Sequence, residues 1–170
     1  MLTQRTRSPS VWHQLVVTAI CVPFLFLADG PAGAGTGESG GRAAEATRKL
    51  QDLLDDVAGR LALSRRVRIG IVAVNPFLLS VEPPAAADEP FVVAIEAKLI
   101  DQLSPDELRA ALAHELGHVW IYTHHPYLQT ERLANEVAMR VVTRDALAAV
   151  YLKIWQQSGK KGDLEAFLGE

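Results

Sequence analysis

The sequence predicts a single α+β domain, with a small β-sheet packed against two consecutive helices. Two short runs of alternating apolar residues indicate strands, and segments with apolar residues at helical spacing lie on either side of them. The chain has 170 residues, of which 49% are apolar. This length and composition are sufficient for one domain with a hydrophobic core.

Charge and cysteine content exclude two classes of protein. Lys and Arg together number 17 against 20 Asp and Glu, so the chain lacks the basic excess of a nucleic-acid-binding surface, and we expect no nucleic-acid partner. Cys21 is the only cysteine, and it lies in an N-terminal apolar run. A chain that has lost this run contains no thiol, which excludes a thiol enzyme and a disulfide.

The N-terminal residues predict an export signal. Arg5 and Arg7 precede an uncharged apolar run from Leu15 to Ala28, and Ala32-Gly33-Ala34 follows as a cleavage site of small residues. We predict cleavage after the last of these, so that residues 1–34 form a signal peptide. The mature protein is then expected in the periplasm or outside the cell.

An uncleaved membrane anchor formed by residues 11–28 is the alternative to a signal peptide. The apolar run is shorter than the roughly 20 residues that span a membrane, and Pro23 interrupts it. We therefore favour cleavage, after which no stable membrane insertion is expected.

The predicted domain spans residues 42–170 and follows a flexible linker. Residues 35–41 are rich in Gly and have no periodic apolar pattern, which predicts the linker. The first helix is predicted over residues 42–63, from apolar residues at helical spacing. These residues are Leu50, Leu53, Leu54, Val57, Leu61 and Leu63.

Two strand-like runs follow this helix. Val67, Ile69 and Ile71 alternate with other residues in a run that ends at Asn75-Pro76, and Phe91–Ile95 forms the second run. A turn-rich stretch separates the two runs. Together they predict a small sheet.

A complete helix start precedes the most informative segment of the chain. Ser104 can cap a helix, Pro105 suits the first helical position, and Glu107 completes a capping box. The apolar pattern predicts that this helix continues to about residue 123, where His124-His125-Pro126 disfavours continuation.

Residues 129–152 are predicted as a further helix. The helix can break near Thr143, and residues 162–170 are predicted as a short tail. Four aromatic residues at helical spacing within their segments are interpreted as core residues: Trp120, Tyr122, Tyr151 and Trp155.

The pentapeptide His114-Glu115-Leu116-Gly117-His118 lies inside the capped helix. Residues four apart lie on one face of a helix, so His114 and His118 can both direct a ring nitrogen to one metal ion. Glu115 lies beside the first of them, where its carboxylate can take a proton from a water molecule acidified by zinc and pass it to a leaving amine. The spacing predicts one zinc ion per chain, with Glu115 as general base.

Gly117 is an unfavourable residue within a helix. It costs roughly 1 kcal/mol relative to Ala, so its presence predicts close approach by another backbone or by substrate.

A catalytic zinc site needs a third protein ligand and an open position for water, and three downstream residues are candidates. His124 has the spacing of metzincin peptidases, but that pattern requires Gly where this chain has Ile121. Glu131 begins a helix that can return toward the motif helix. Glu136 lies about 140° around the helix from Glu131, so only one of the two can face the metal, and Glu136 is interpreted as a solvent-facing acid.

The turn after the motif helix contains the candidate oxyanion donors His124, His125 and Tyr127. His124 as a fourth protein ligand would instead close the site, because structural zinc leaves no position for water. These two possible roles of the turn residues correspond to two hypotheses, a peptidase and a zinc-binding protein without peptidase activity.

Three segments resemble one family of zinc peptidases: Leu103 to Leu108, Ala113 to His118, and Glu131 with Ala134-Asn135. The family is typified by the CAAX prenyl endopeptidases, the heat-shock membrane protease HtpX and secreted peptidases with tetratricopeptide repeats. The resemblance covers about residues 67–142. It implies a zincin-like fold of the gluzincin kind, in which a small sheet packs on the motif helix and on a following helix that bears a glutamate ligand.

The resemblance implies a role for each matching residue. His114, His118 and Glu131 correspond to the family's zinc ligands, and Glu115 to its general base. Asn135 takes the position from which an acidic residue usually supports a zinc-binding His. Its amide can accept a hydrogen bond from the imidazole but adds no charge.

The resemblance also implies that Phe91–Ile95 is an edge strand that aligns an extended peptide. Glu131 with Ala134-Asn135 is similar as well to cytoplasmic peptidases that cleave phage or stress repressors, a location that the export signal argues against. We therefore predict a zinc-dependent metalloendopeptidase that acts on peptide or protein substrates. An inactive, zinc-binding relative that acts through a partner is the alternative.

Overall fold

A computed structural model describes residues 37–159 and 161–169 of the chain. The predicted signal peptide (residues 1–34), the alternative anchor (residues 11–28) and the start of the predicted linker lie outside these ranges. Within them, no helix combines the length and apolar character needed to cross a membrane. The described residues all lie in one compact unit.

Helices and strands both contribute to this unit, which confirms the predicted α+β class. In the described ranges the elements are α1 (Gly37–Arg60), β1 (Val67–Val72), β2 (Leu79–Glu82), β3 (Phe91–Glu96), α2 (Ala97–Ile100), α3 (Pro105–His124), α4 (Glu131–Ala138), α5 (Arg144–Ser158) and α6 (Leu164–Leu168).

The strands form one sheet in the order β1-β3-β2. β1 runs parallel to β3, with Val67 opposite Phe91, and β2 runs antiparallel to β3, with Leu79 opposite Ile95. The prediction that Phe91–Ile95 forms an edge strand is wrong, because β3 is the central strand. The edge strand that contacts α3 is β2.

Sequence analysis missed β2 because the strand is only four residues long, too short to establish an alternating pattern. A side chain outside the strand helps to hold it in place. The amide nitrogen of Asn75 donates to Ser80 Oγ at 3.0 Å and to the carbonyl oxygen of Ala94 at 2.9 Å. Asn75 therefore ties β2 to β3 by contacts that are not apparent from sequence spacing.

α1 begins at Gly37 instead of at the predicted Arg42, so part of the predicted linker is helical. Residues 41–49 are exposed or partly exposed, and the first buried residue of the helix is Leu50. Extending an existing helix costs little once its packed part has formed, which accounts for helical backbone in a Gly-rich segment. The helix ends at Arg60, earlier than predicted, because Ala62 adopts a left-handed conformation (φ 54°).

α3 is the central helix of the domain. The predicted capping box is confirmed, since Ser104 Oγ accepts from the Glu107 N–H at 3.3 Å and Glu107 Oε2 accepts from the Ser104 N–H at 2.6 Å. α1, α4, α5 and the sheet all contact α3. Its buried residues therefore include Ala110 to Ala113, Leu116, Val119 and Ile121, which lie on more than one face of the helix.

The segment predicted as one helix over residues 129–152 forms α4 and α5. The predicted break near Thr143 is confirmed, because Thr143 caps α5 by accepting from the Ala146 N–H at 3.2 Å. The predicted tail contains α6, whose Leu168 is buried in the core.

Gly117 is the point of closest approach between α3 and α4. A Cβ placed on Gly117 would overlap the carbonyl oxygen of Ala134 and lie 3.0 Å from its carbonyl carbon. The approach of another backbone that the sequence predicted is therefore confirmed. The absence of a side chain at residue 117 lets the start of α4 lie directly against the motif segment of α3.

Gly117→Ala should destabilise the fold by about 1–3 kcal/mol, because the added methyl group meets backbone atoms that must move. Gly59→Ala is the matched control, since a Cβ on Gly59 in α1 meets no heavy atom within 4 Å. It should be neutral or stabilising by up to about 1 kcal/mol. Chemical denaturation of both variants measures these changes, and an equally stable Gly117→Ala protein would contradict the packing described.

Candidate metal centre

Three side chains from two helices converge on one point. His114 and His118 extend from α3, and Glu131 is the first residue of α4. His114 Nε2 lies 3.2 Å from Glu131 Oε2, and His118 Nε2 lies 3.5 Å from Glu131 Oε1. Ligand atoms on one tetrahedral zinc are about 3.3–3.6 Å apart, so this separation and donor set fit a zinc ion.

Local structure places each of the three groups. The two imidazoles follow from the four-residue spacing on α3, and their rings lie edge to face with centroids 4.8 Å apart. Thr130 caps α4 by accepting from the Leu133 N–H at 3.2 Å, which places Glu131 in the first helical turn. The contact at Gly117 then brings this turn beside the imidazoles.

A side chain beside each histidine holds the imidazole in a metal-binding tautomer. Asn135 is fully buried, and its Oδ1 lies 2.8 Å from His114 Nδ1. Because Oδ1 can only accept, Nδ1 donates, so that a neutral His114 directs the lone pair of Nε2 to the point where the three side chains converge. The structure therefore places Asn135 where the resemblance predicted it.

Gln129 performs the same role for His118. Its Oε1 lies 3.2 Å from His118 Nδ1, and its Nε2 donates to the His118 carbonyl oxygen at 3.3 Å. The second hydrogen bond orients the amide so that its oxygen faces the ring. Sequence analysis missed Gln129, because nothing about a glutamine two residues before Glu131 distinguishes it from a residue of the turn.

Glu115 lies beside the metal position in a buried environment, with 7% of the residue exposed. Burial raises the pKa of Glu115 to about 7, although the positive charge of protonated His114 opposes this rise and the negative charge of Glu131 adds to it. The backbone N–H of Val81 in β2 also stabilises the charged form. Glu115 is thus an acid whose protonation changes near neutral pH.

The pKa of Glu131 shifts in the opposite direction from that of Glu115. Burial disfavours its charged form, but the hydrogen bond and charge of His114, the charge of His118 and the hydroxyl of Tyr151 together lower the pKa of Glu131 to about 2. Burial lowers the pKa of His118, and the charge of His114 lowers it further. Glu131 is therefore a carboxylate at ordinary pH, and His118 loses its proton more readily than a free imidazole.

The other candidate ligands do not belong to the group of ligand atoms that converge, and they and the candidate donors have contacts or exposure of their own. The His124 ring stacks on Trp120 at a centroid distance of 4.3 Å, and the His125 ring lies 5.8 Å from the same indole. Tyr127 is 98% exposed. Glu136 is exposed, as predicted, and its carboxylate accepts a hydrogen bond from Arg132 at 3.0 Å.

The four aromatic residues predicted as core residues differ in their environments. Trp120 and Trp155 pack partly buried against the core, but Tyr122 is 43% exposed and contacts Phe91 edge to face. Tyr151 is buried, as predicted, and sequence analysis missed that its hydroxyl reaches Glu131 and Asn135. Burial raises the pKa of Tyr151, so the hydroxyl stays protonated.

The backbone groups of β2 that do not pair with β3 include the Val81 N–H, which contacts Glu115. The carbonyl oxygen of Leu78 accepts from the Glu96 N–H at 2.8 Å, which identifies Leu78 and Glu96 as a hydrogen-bonded pair. Because such pairs alternate along an antiparallel ladder, the N–H and C=O groups of Leu79 and Val81 point away from β3. These groups form the free edge of the sheet.

Known proteins that are similar to parts of this chain include a protease homolog and a solved metallopeptidase zymogen. A protease HtpX homolog from Sulfurihydrogenibium sp. (strain YO3AOP1) is 36% identical over 72 residues, which is 41% of this chain and 23% of the relative. Among solved structures, the chain resembles the metallopeptidase zymogen of Pyrococcus abyssi abylysin, with 15% identity and a TM-score of 0.48. That match covers 67% of this chain and 99% of the other.

A family model describes most of the chain. The model of peptidase family M48 matches residues 45–168, a range that includes all three converging side chains together with Glu115 and Asn135. The chain belongs to peptidase family M48.

Proposed function

We propose that this protein is a zinc-dependent endopeptidase. The observation that carries the proposal is the convergence of two oriented imidazoles and one carboxylate. Glu115 follows His114 on α3, and the charges of His114 and Glu131 both act on its carboxyl group. Three protein ligands of this kind leave one position of a zinc ion open, as catalytic sites require. The proposed ligands are His114, His118 and Glu131.

Glu115 is the proposed general base. Zinc held by the three ligands would supply Lewis acidity that polarises the scissile carbonyl and acidifies a water molecule. A carboxylate of Glu115 would take the proton from that water and then donate it to the nitrogen of the leaving amine. Its burial suits this exchange, because a pKa near neutrality lets the same group accept and release a proton.

The free edge of β2 is the proposed substrate-aligning surface. An extended peptide can pair with the outward N–H and C=O groups of Leu79 and with the C=O of Val81, whose N–H contacts Glu115. Recognition would then depend mainly on the substrate backbone. We accordingly expect unstructured peptides of varied sequence to be cleaved.

A zinc-binding protein without peptidase activity is the second candidate function. Its supporting observation is that the candidate oxyanion donors are engaged elsewhere or exposed, since His124 and His125 contact Trp120 and Tyr127 is 98% exposed. An oxyanion donor contributes on the order of 3 kcal/mol to acyl transfer. Activity measurements on one variant distinguish the two candidates.

Glu115→Gln should lower peptide-bond cleavage at least 100-fold while leaving zinc content unchanged, because the amide cannot accept the proton but is not a ligand. The assay is cleavage of an unstructured protein such as casein by the zinc-loaded chain, with metal content measured in parallel. If the wild-type chain cleaves the substrate and Glu115→Gln cleaves it equally well, Glu115 is excluded as the base.

Glu136→Gln is the matched control for this experiment, because Glu136 is an exposed carboxylate on α4 that contacts Arg132. It should cleave like the wild type.

Mass spectrometry of the products also tests backbone recognition, which predicts many cleavage sites. A zinc-loaded wild-type chain that cleaves no peptide would favour the second candidate function, and cleavage at one sequence only would exclude recognition by the backbone alone.

Glu115→Gln should also change how the stability of the metal-free protein depends on pH. The pKa of Glu115 rises from the ordinary 4.5 to about 7 on folding, so the folded state binds its proton more tightly than the unfolded state. The resulting stability is present below pH 4.5 and is lost as pH rises to 7. The stability of Glu115→Gln relative to wild type should therefore increase by about 2–3 kcal/mol between pH 5 and pH 8.

Thermal or chemical unfolding in the presence of a chelator at the two pH values measures this difference. Titrating groups distant from Glu115 contribute equally to both proteins and cancel, whereas the charge of Glu115 raises the pKa of the neighbouring His114, whose contribution is part of the measured difference. A relative stability that is the same at pH 5 and pH 8 would show that Glu115 does not titrate as described.

A further inference from the structure

We propose that Tyr151, on α5, is a positioning residue of the metal centre, whose hydroxyl holds Glu131 and whose hydrogen-bond direction is set by Asn135. The inference rests on the proposed zinc function. Neither the histidine–glutamate motif nor the spacing of Glu131 assigns a role to Tyr151.

Only one orientation of the Asn135 amide satisfies all of its hydrogen-bond partners. Its nitrogen Nδ2 lies 2.8 Å from the Tyr151 hydroxyl and 3.0 Å from the carbonyl oxygen of Phe167, and its Oδ1 lies 2.8 Å from His114 Nδ1. The Phe167 oxygen can only accept, so Nδ2 must face it. The side chain is fully buried, which makes an unsatisfied alternative orientation costly.

This orientation determines what the Tyr151 hydroxyl can do. The second N–H of Asn135 donates to the hydroxyl oxygen, so the single O–H of Tyr151 remains free to donate elsewhere. It points to Glu131 Oε2, 3.4 Å away. Packing keeps the ring in this position, because Tyr151 is 9% exposed and contacts both Trp155 and Phe167.

The result is a directed series of hydrogen bonds between two proposed ligands. His114 donates to Asn135, Asn135 donates to Tyr151, and Tyr151 donates to Glu131. A hydroxyl is well suited to this position, since it restrains the carboxylate without competing for the metal. The glutamate lies at the start of α4, where half of its side chain is exposed and a restraint on its rotation is most useful.

Asparagine at residue 135 fits these surroundings better than an acid. A carboxylate would place a second acceptor against the Phe167 carbonyl oxygen. It would also require the Tyr151 O–H for itself, which would remove the hydrogen bond to Glu131. The Asn135 amide and the Tyr151 hydroxyl therefore work as a pair.

Tyr151→Phe tests the proposal because it removes only the hydroxyl oxygen. We expect zinc affinity, measured by competition with a chromophoric chelator, to fall about 10-fold, the lower end of the loss that follows removal of a group supporting a metal ligand. Tyr122→Phe is the matched control, since the Tyr122 ring lies on an exposed side of α3 and packs against Phe91 of β3. Its zinc affinity should equal that of the wild type.

Unfolding midpoints measured with chelator present separate positioning from stability. A purely structural role for Tyr151 would lower the midpoint of the metal-free variant but leave the zinc affinity of the folded protein unchanged, and that result would overturn the proposal. A wild-type chain with no affinity for zinc would overturn the proposed function and this inference with it. Wild-type affinity retained in Tyr151→Phe would overturn the inference alone.

Discussion

The close contact between α3 and α4 at Gly117 is the constraint on which the site depends. His114 and His118 on one helix supply two of the proposed metal ligands, but the third ligand must come from elsewhere in the chain. Because the backbone of Ala134 lies directly against Gly117, the first turn of α4 is close enough for Glu131 to complete the cluster. The same packing places Asn135 behind His114. A side chain at residue 117 would push α4 away from α3 and so move Glu131 and Asn135 away from the two histidines.

Two carboxylates beside the metal position differ because their surroundings differ. Glu115 is buried beside the ligands, and its pKa rises to about 7. Glu131 faces two imidazoles and a hydroxyl, and its pKa falls to about 2. This difference supports the proposed roles, in which Glu131 would hold the metal and Glu115 would transfer the proton. The proposed roles therefore follow from burial and hydrogen bonding as well as from the motif.

Features set by neighbouring residues could be predicted from the sequence, whereas features set by packing could not. The capping box at Ser104, the helix with His114 and His118, and the break at Thr143 each depend on a few consecutive residues. β2 was missed because four residues show too little periodicity and are held in part by Asn75, outside the strand. The roles of Gln129 and Tyr151 arise only when segments distant in the chain meet.

The central claim is that one zinc ion is held by His114, His118 and Glu131. Metal content of the purified protein, measured by mass spectrometry on the wild type and three variants, tests it most directly. We predict about one zinc per chain, lost in His114→Ala and Glu131→Ala. It should be retained in His124→Ala, because the His124 ring stacks on Trp120 in the wild type. A wild-type chain without zinc under metal-replete conditions, or zinc lost in His124→Ala but retained in Glu131→Ala, would contradict it.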